Sequence, residues 1–173
     1  MTNFKEDLAK VEAFVFDIDG VLSLQTISLN SFGVPGRTVN LRDGYAVQLA
    51  VKKGYRVAVI SGSNAKDYQK RLRQLGVKDV YLNSRLKIEH FNAFLNKYNL
   101  DRKNVLYMGD DIPDREVMQS AGIPVCPADA DSEIREVSLY ISDKKGGEGC
   151  VRDVIEQVLR LHNKWMDQEG LTW

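Results

Sequence analysis

A doubly wound α/β fold, a parallel sheet covered by helices on both faces, is what the sequence predicts, and three observations predict it. Short runs of nearly continuous apolar character, such as Phe14-Val15-Phe16 and Val57-Ala58-Val59-Ile60, recur along the chain. Segments with apolar residues at helical spacing separate them, and strands buried on both faces that alternate with helices form parallel sheets. The length also fits: 173 residues, 43% apolar and 28% charged, supply one substantial core rather than two. Residues 1–173 are therefore expected to form a single domain.

Val11–Phe16 is the first strand. Ser23–Leu41 alternates apolar and polar residues around Gly33-Val34-Pro35-Gly36, which predicts a two-stranded β-hairpin protruding from the sheet. Helical spacing then covers Gly44–Lys53, Asn64–Leu75, Ser84–Tyr98, Ile112–Ala121 and Glu133–Val137. Between these lie strands Arg56–Ile60, Asp79–Leu82, Val105–Met108 and Ile123–Cys126, with Leu139–Ile141 as a sixth. Cys150–Asn163 closes the chain as a helix, and a polar tail occupies about residues 162–173.

Composition excludes several classes of function. Lys plus Arg balance Asp plus Glu at 24 each, so no basic field points to nucleic acid and no polybasic run to a membrane. No stretch approaches the ~20 apolar residues that span a bilayer, and MTNFKEDLAKVEAF lacks a signal-peptide core; the expected location is the cytoplasm. Cys126 and Cys150 stand in no metal-ligand spacing and read as core thiols.

The residues just past the strands carry the chemistry. In doubly wound sheets the ligand lies outside the carboxyl ends of the strands, and those positions are unusually polar here. Asp17 and Asp19 come after the first strand, Ser61-Gly62-Ser63 after the second, and Gly109-Asp110-Asp111 with Asp114 after the fourth; Lys87 lies near the start of the third helix. Taken singly each has a plain explanation: Ser61 as a helix N-cap, Lys87 as a solvated residue, Gly-Asp-Asp as a turn. Together they converge on one rim. Four aspartates against one lysine make a negative pocket, where unit charges ~4 Å apart interact by ~4 kcal/mol at an effective dielectric of 20. A phosphate enters such a pocket only with a hard cation, and carboxylate and carbonyl oxygens suit Mg²⁺.

The motif set DIDGV, Ser61 after VAVI, Lys87, and GDDIPD, in that order, resembles the haloacid dehalogenase superfamily of aspartyl-phosphate phosphatases over roughly residues 11–160. The resemblance implies Asp17 as nucleophile, Asp19 as general acid and base, and Ser61, Gly62 and Lys87 as holders of the phosphoryl oxygens. It further implies Mg²⁺ bound by Asp17, the backbone carbonyl of Asp19 and Asp110, with Asp111 and Asp114 supporting from behind. No insertion large enough for a cap domain separates the motifs, so the enzyme is expected to be capless, with a pocket that a second subunit would cover.

Among capless members, VNLRDGYAVQLAVKKGYRVAVISG (residues 39–62), LGVKDVYLNSRLK and GGEGCVRDVIE resemble the 3-deoxy-D-manno-octulosonate 8-phosphate phosphatases. That implies a cytoplasmic homotetramer in lipopolysaccharide biosynthesis, acting on a sugar-acid phosphate, with neighbouring hairpins bordering each site. Ser63 and Glu148 depart from the arginines many members carry there, and Leu24-Gln25 from an Asp-Gly pair. These departures keep a nine-carbon ketoacid 9-phosphate open as an alternative substrate. Arg42, Asp43, Ser63 and Arg71 are the candidates for substrate binding. A phospho-accepting receiver domain is the alternative from another class, although its acidic pair precedes the acceptor, the reverse of the order here.

Overall fold

The computed structural model describes residues 4–171; Met1–Asn3 and, in the expected tail, Thr172–Trp173 lie outside them. Eight strands are present among the described residues: β1 (Ala13–Phe16), β2 (Ser28–Leu29), β3 (Pro35–Gly36), β4 (Arg56–Ile60), β5 (Asp79–Tyr81), β6 (Val105–Met108), β7 (Ile123–Cys126) and β8 (Tyr140–Ile141). Six of them form one sheet in the order β5-β4-β1-β6-β7-β8, with every pairing parallel. The helices are α1 (Phe4–Leu8), α2 (Leu41–Lys52), α3 (Lys66–Gln74), α4 (Lys87–Tyr98), α5 (Arg115–Ser120), α6 (Ser132–Val137) and α7 (Cys150–Leu161).

Side chains alternate across a strand, so β1 feeds two cores. Phe14 and Phe16 join a cluster with residues of α2, α3 and α7, including Val47, Leu72 and Val154. Ala13 and Val15 join Phe91, Phe94, Val117 and Ile134 of α4, α5 and α6 on the opposite face. All four strand residues are fully buried, and truncating either phenylalanine to alanine costs about 3–5 kcal/mol. The predicted α/β fold is thus the observed one, with β1 at the centre.

Element boundaries differ for local reasons. α2 begins at Leu41 rather than Gly44 because Asn40 caps it, its side chain accepting from Arg42 N and Asp43 N. The expected helix from Ile112 opens as a 3₁₀ turn over Ile112–Asp114, with Pro113 in it, before α5. The hairpin is much shorter than the expected Ser23–Leu41. Only β2 and β3 pair, apart from the main sheet, while Ser23 is buried and bridges to Asp19. Short strands leave the rest of this segment held by side chains: Thr38 N donates to Ser23 Oγ at 3.0 Å and Leu24 N to Thr38 Oγ1 at 3.0 Å.

The polar tail folds back on the body. Trp165 is buried edge-on against Tyr45, Lys53 pairs with Asp167 at 2.5 Å, and Tyr45 donates to the Gly170 carbonyl. Trp165 thereby extends the core under α2 and α7.

Candidate active site

The site is built where the winding of the sheet reverses, beside β1. The ladder extends one residue past the strands: Asp17 N donates to Met108 O at 3.2 Å and Ser61 N to Tyr81 O at 2.9 Å. Backbone pairing therefore fixes Asp17 and Ser61 on the carboxyl edge, with Asp110 two residues beyond β6 alongside. Asp17, Asp19, Ser61, Gly62, Ser63, Lys87, Asp110, Asp111 and Asp114 all line one recess of about 280 Å³, together with Gln25 and Pro113.

Two glycines let the surrounding loops close around it. Gly20 has φ +82, and a Cβ there would fall 1.9 Å from Asp110 Oδ2. A Cβ on Gly146 would fall 1.9 Å from the Gly20 carbonyl oxygen, while Gly147 N donates to Val21 O at 2.8 Å. The GGEG stretch is thus pressed against the DIDG turn, which only glycine permits at both contacts.

Lys87, the first residue of α4, is buried in the floor. Its Nζ lies 2.8 Å from Asp17 Oδ2 and 2.7 Å from Asp114 Oδ1. Asp114 is also buried, accepts from Tyr107 Oη at 2.6 Å and from Asp110 N at 3.3 Å, and so orients Lys87 from behind. Ser61 Oγ lies 2.8 Å from Ser63 Oγ and accepts from Ser63 N at 3.2 Å; it does not cap α3, whose N-cap is Ala65. Asp19 turns the other way. Its two carboxylate oxygens accept from Arg37 Nε at 2.7 Å and Nη2 at 3.0 Å.

Burial first, then the neighbouring Asp114, raises the Asp17 carboxyl to about 7 despite Lys87 beside it. Burial with Asp17 and Asp114 raises Asp110 to about 8. Burial opposes the charge on Lys87, but Asp17 and Asp114 outweigh it and the ammonium is held above its ordinary range. Carboxyls that resist ionising mark a site short of positive charge. Oxygens of Asp17, Asp110 and Asp114 lie within 4.8 Å of one another, and three buried carboxylates sharing one ammonium fit a hard divalent cation. Asp114, expected only to support the metal from behind, is thus inside the carboxylate cluster. Asp111 is exposed and caps the 3₁₀ turn by accepting from Ile112 N at 2.8 Å.

The substrate candidates scatter. Ser63 borders both the recess and a neighbouring cavity of about 490 Å³ between the hairpin and α3, which Arg71 also lines. Arg42 instead faces a larger cavity of about 870 Å³ beside α7, which shares no lining residue with the recess. The expectation for Asp43 is corrected: it is 1% exposed and its Oδ1 accepts from Arg152 N at 2.7 Å, capping the first turn of α7. Sequence patterns do not single out Arg37, Tyr107 or Gln25 as site residues. Arg37 reads as one more polar residue of an alternating hairpin; the Tyr107 hydroxyl in an otherwise apolar strand is the one available hint.

A carboxylate at the end of the central strand, a serine, a lysine and an acidic cluster on a doubly wound sheet define the class: an enzyme of doubly wound α/β fold equipped for phosphoryl transfer. Comparison with known proteins is specific. The sequence pattern of haloacid dehalogenase-like hydrolases matches residues 39–122. The 3-deoxy-D-manno-octulosonate 8-phosphate phosphatase KdsC of Salmonella typhi is 32% identical over 160 residues, 92% of this chain and 85% of that protein. The crystal structure of the same phosphatase from Yersinia pestis superposes with a TM-score of 0.89 at 30% identity, covering 93% of this chain and 87% of that one. That from Moraxella catarrhalis, solved in complex with a magnesium ion, a phosphate ion and a KDO molecule, has a TM-score of 0.88 at 28% identity, covering 92% of both chains. This chain belongs to the haloacid dehalogenase-like hydrolases, in the family of the 3-deoxy-D-manno-octulosonate 8-phosphate phosphatases, and the receiver-domain alternative falls away.

Proposed function

We propose that the protein is a Mg²⁺-dependent phosphatase that hydrolyses 3-deoxy-D-manno-octulosonate 8-phosphate to the free sugar acid and phosphate. The observation that carries this reading is the buried Asp17–Lys87–Asp114 triad, at 2.8 and 2.7 Å, on the rim beside Ser61 and Asp110. Asp17 Oδ attacks phosphorus, the bond from phosphorus to the sugar C8 oxygen breaks, and Asp19 gives its proton to that oxygen. Water then attacks the phospho-aspartate at phosphorus, Asp19 takes a proton from it, and the bond to Asp17 breaks to release phosphate. Lys87, Ser61 Oγ and the Gly62 N–H hold the equatorial oxygens, where charge gathers in the transition state. Mg²⁺ on Asp17, Asp110 and the Asp19 carbonyl would offset the charge that otherwise repels a phosphate, with Asp114 and Asp111 as its support.

The identity to KdsC proteins and the KDO in the Moraxella structure support the eight-carbon substrate. Ser63, and Glu148, which lines the cavity that Arg42 faces, keep the nine-carbon ketoacid 9-phosphate as the alternative substrate. Phosphate release measured side by side on the eight- and nine-carbon ketoacid phosphates tests this. A higher kcat/KM on the nine-carbon ester would reassign the substrate without touching the chemistry.

Assembly as a homotetramer belongs to the same reading. Leu29, Phe32 and Val34 on the hairpin are 67%, 88% and 52% exposed, more apolar surface than a two-stranded ribbon can bury alone. Arg71 is the residue we assign to the sugar-acid end of the substrate. Among the described residues no helix is long and apolar enough to cross a membrane. The likeness to KdsC proteins supports a cytoplasmic step in lipopolysaccharide biosynthesis.

A further inference from the structure

Arg37 comes directly after β3 and reaches back to Asp19 with two parallel N–H···O bonds, 2.7 and 3.0 Å. The Arg37 side chain is 13% exposed and that of Asp19 33%. Fork-to-fork pairing of a guanidinium with a carboxylate is short, charge-assisted and directional. It also engages both oxygens of Asp19. While both accept from Arg37, the orientation of the carboxylate is set by the guanidinium rather than by a leaving oxygen or a water, which makes the observed pair a resting arrangement.

The surroundings show what could open it. Arg37 also lines the cavity of about 490 Å³ between the hairpin and α3, which has Ser63 in common with the phosphate recess. Three cationic side chains, Arg37, Lys66 and Arg71, border that cavity against one carboxylate, Asp67, which already pairs with Lys70 at 3.3 Å. A substrate with its phosphate at Asp17 would extend toward this cationic wall. The backbone beside Arg37 is clamped: Thr38 is tied to Ser23 and Leu24, and Ser23 N donates to Ile18 O at 2.8 Å within the loop that carries Asp19. Only the side chain need turn.

We propose that Arg37 is a specificity-determining residue that exchanges partners, latching Asp19 in the free enzyme and pairing with a second anionic group of the substrate when it binds. The substrate class is then a phosphate monoester that carries a carboxylate remote from the phosphate; an ester without one leaves the latch closed. This rests on the reading of Asp19 as acid and base.

The test compares two substrates with the same leaving group, 3-deoxy-D-manno-octulosonate 8-phosphate and its methyl ester, on wild type, Arg37→Gln and Arg37→Lys. Losing the guanidinium should lower kcat/KM on the free acid by about tenfold or more, the scale of a charge-assisted hydrogen bond. The same variant should raise kcat/KM on the methyl ester, because Asp19 is released without an exchange, and Arg37→Lys should keep part of the preference for the acid. A purely structural role would move both substrates together. Equal factors on both, or a wild-type preference retained in Arg37→Gln, would overturn the proposal. Asp19→Asn separates the two readings: if it turns over the free acid at the wild-type rate, the acid–base assignment fails. If it is crippled while Arg37→Gln keeps wild-type selectivity, only the latch fails. Should Arg37→Gln not fold, Arg37→Lys decides: equal losses on both substrates would again refute the latch.

Discussion

Lys87 Nζ lies 2.8 Å from Asp17 Oδ2 with both side chains buried, and Asp114 holds the ammonium from the other side at 2.7 Å. The lysine proposed to hold the phosphoryl oxygens is therefore a structural counter-ion as well. Removing one partner of a buried ion pair leaves the other uncompensated, at about 3–5 kcal/mol. Lys87→Met is expected to lose that much stability in a denaturant titration of the metal-free protein. It should also lose about 10²–10³-fold in kcat, the scale of one preorganised charge stabiliser. A variant as stable as wild type would show that the pair carries no structural weight.

Stability of the metal-free protein should fall as pH rises. The Asp17 and Asp110 carboxyls are raised to about 7 and about 8 from 3.8, so between about pH 4 and pH 8 the folded protein keeps protons the unfolded chain has released. Stability then declines with pH through that window and levels off above it. Magnesium requires the ionised form, so its stabilisation should grow over the same window, reaching about 2.7 kcal/mol at a hundredfold excess over Kd. Thermal melts of wild type and Asp110→Asn in chelator, then in magnesium, check this. Asp110→Asn should show a shallower decline, and an identical slope would contradict the assignment.

Asp43→Ala should act on the fold rather than on the substrate. Its Oδ1 accepts from Arg152 N in the first turn of α7, and loss of such a cap costs about 0.5–2 kcal/mol. A lower Tm with KM for the sugar-acid phosphate unmoved is the expected result. A raised KM with unchanged Tm would restore Asp43 to the substrate site.

Leu29→Asp with Phe32→Asp places two charges on hairpin positions 67% and 88% exposed. The double variant should remain folded and run as a smaller species in light scattering, with kcat/KM reduced more on the sugar-acid phosphate than on p-nitrophenyl phosphate. An unchanged assembly would remove the hairpin from the interface.

Much of the site is legible in the sequence because it sits at strand ends. Once VFD, VIS and YMGD read as strand exits, a parallel sheet must bring Asp17, Ser61 and Asp110 to one edge, and the recess contains them. Strand cores such as Arg56–Ile60 and Val105–Met108 are legible to the residue because apolar runs stop abruptly at polar ones. The hairpin is not, since alternation between residues 23 and 41 describes an extended chain without saying whether a partner strand pairs along it. Arg37 and Asp43 are obscure for a related reason. Each meets a partner brought to it by the fold, Asp19 by the return of the hairpin and Arg152 N by the docking of α7 on α2, and no local pattern announces either contact. Asp114 reads as one more acid of GDDIPD, and only the structure turns it inward to Lys87 while Asp111 turns outward.

Covalent phosphoryl transfer requires that Asp17, and no other carboxylate of the cluster, become phosphorylated during turnover. Acid quench of the enzyme while it hydrolyses 3-deoxy-D-manno-octulosonate 8-phosphate, with borohydride reduction afterwards, converts a phospho-aspartate to homoserine that peptide mass spectrometry can locate. Homoserine at position 17 alone, absent from Asp17→Asn, is the predicted result. Homoserine at Asp19 or Asp110, or phosphate released at the wild-type rate by Asp17→Asn, would contradict it.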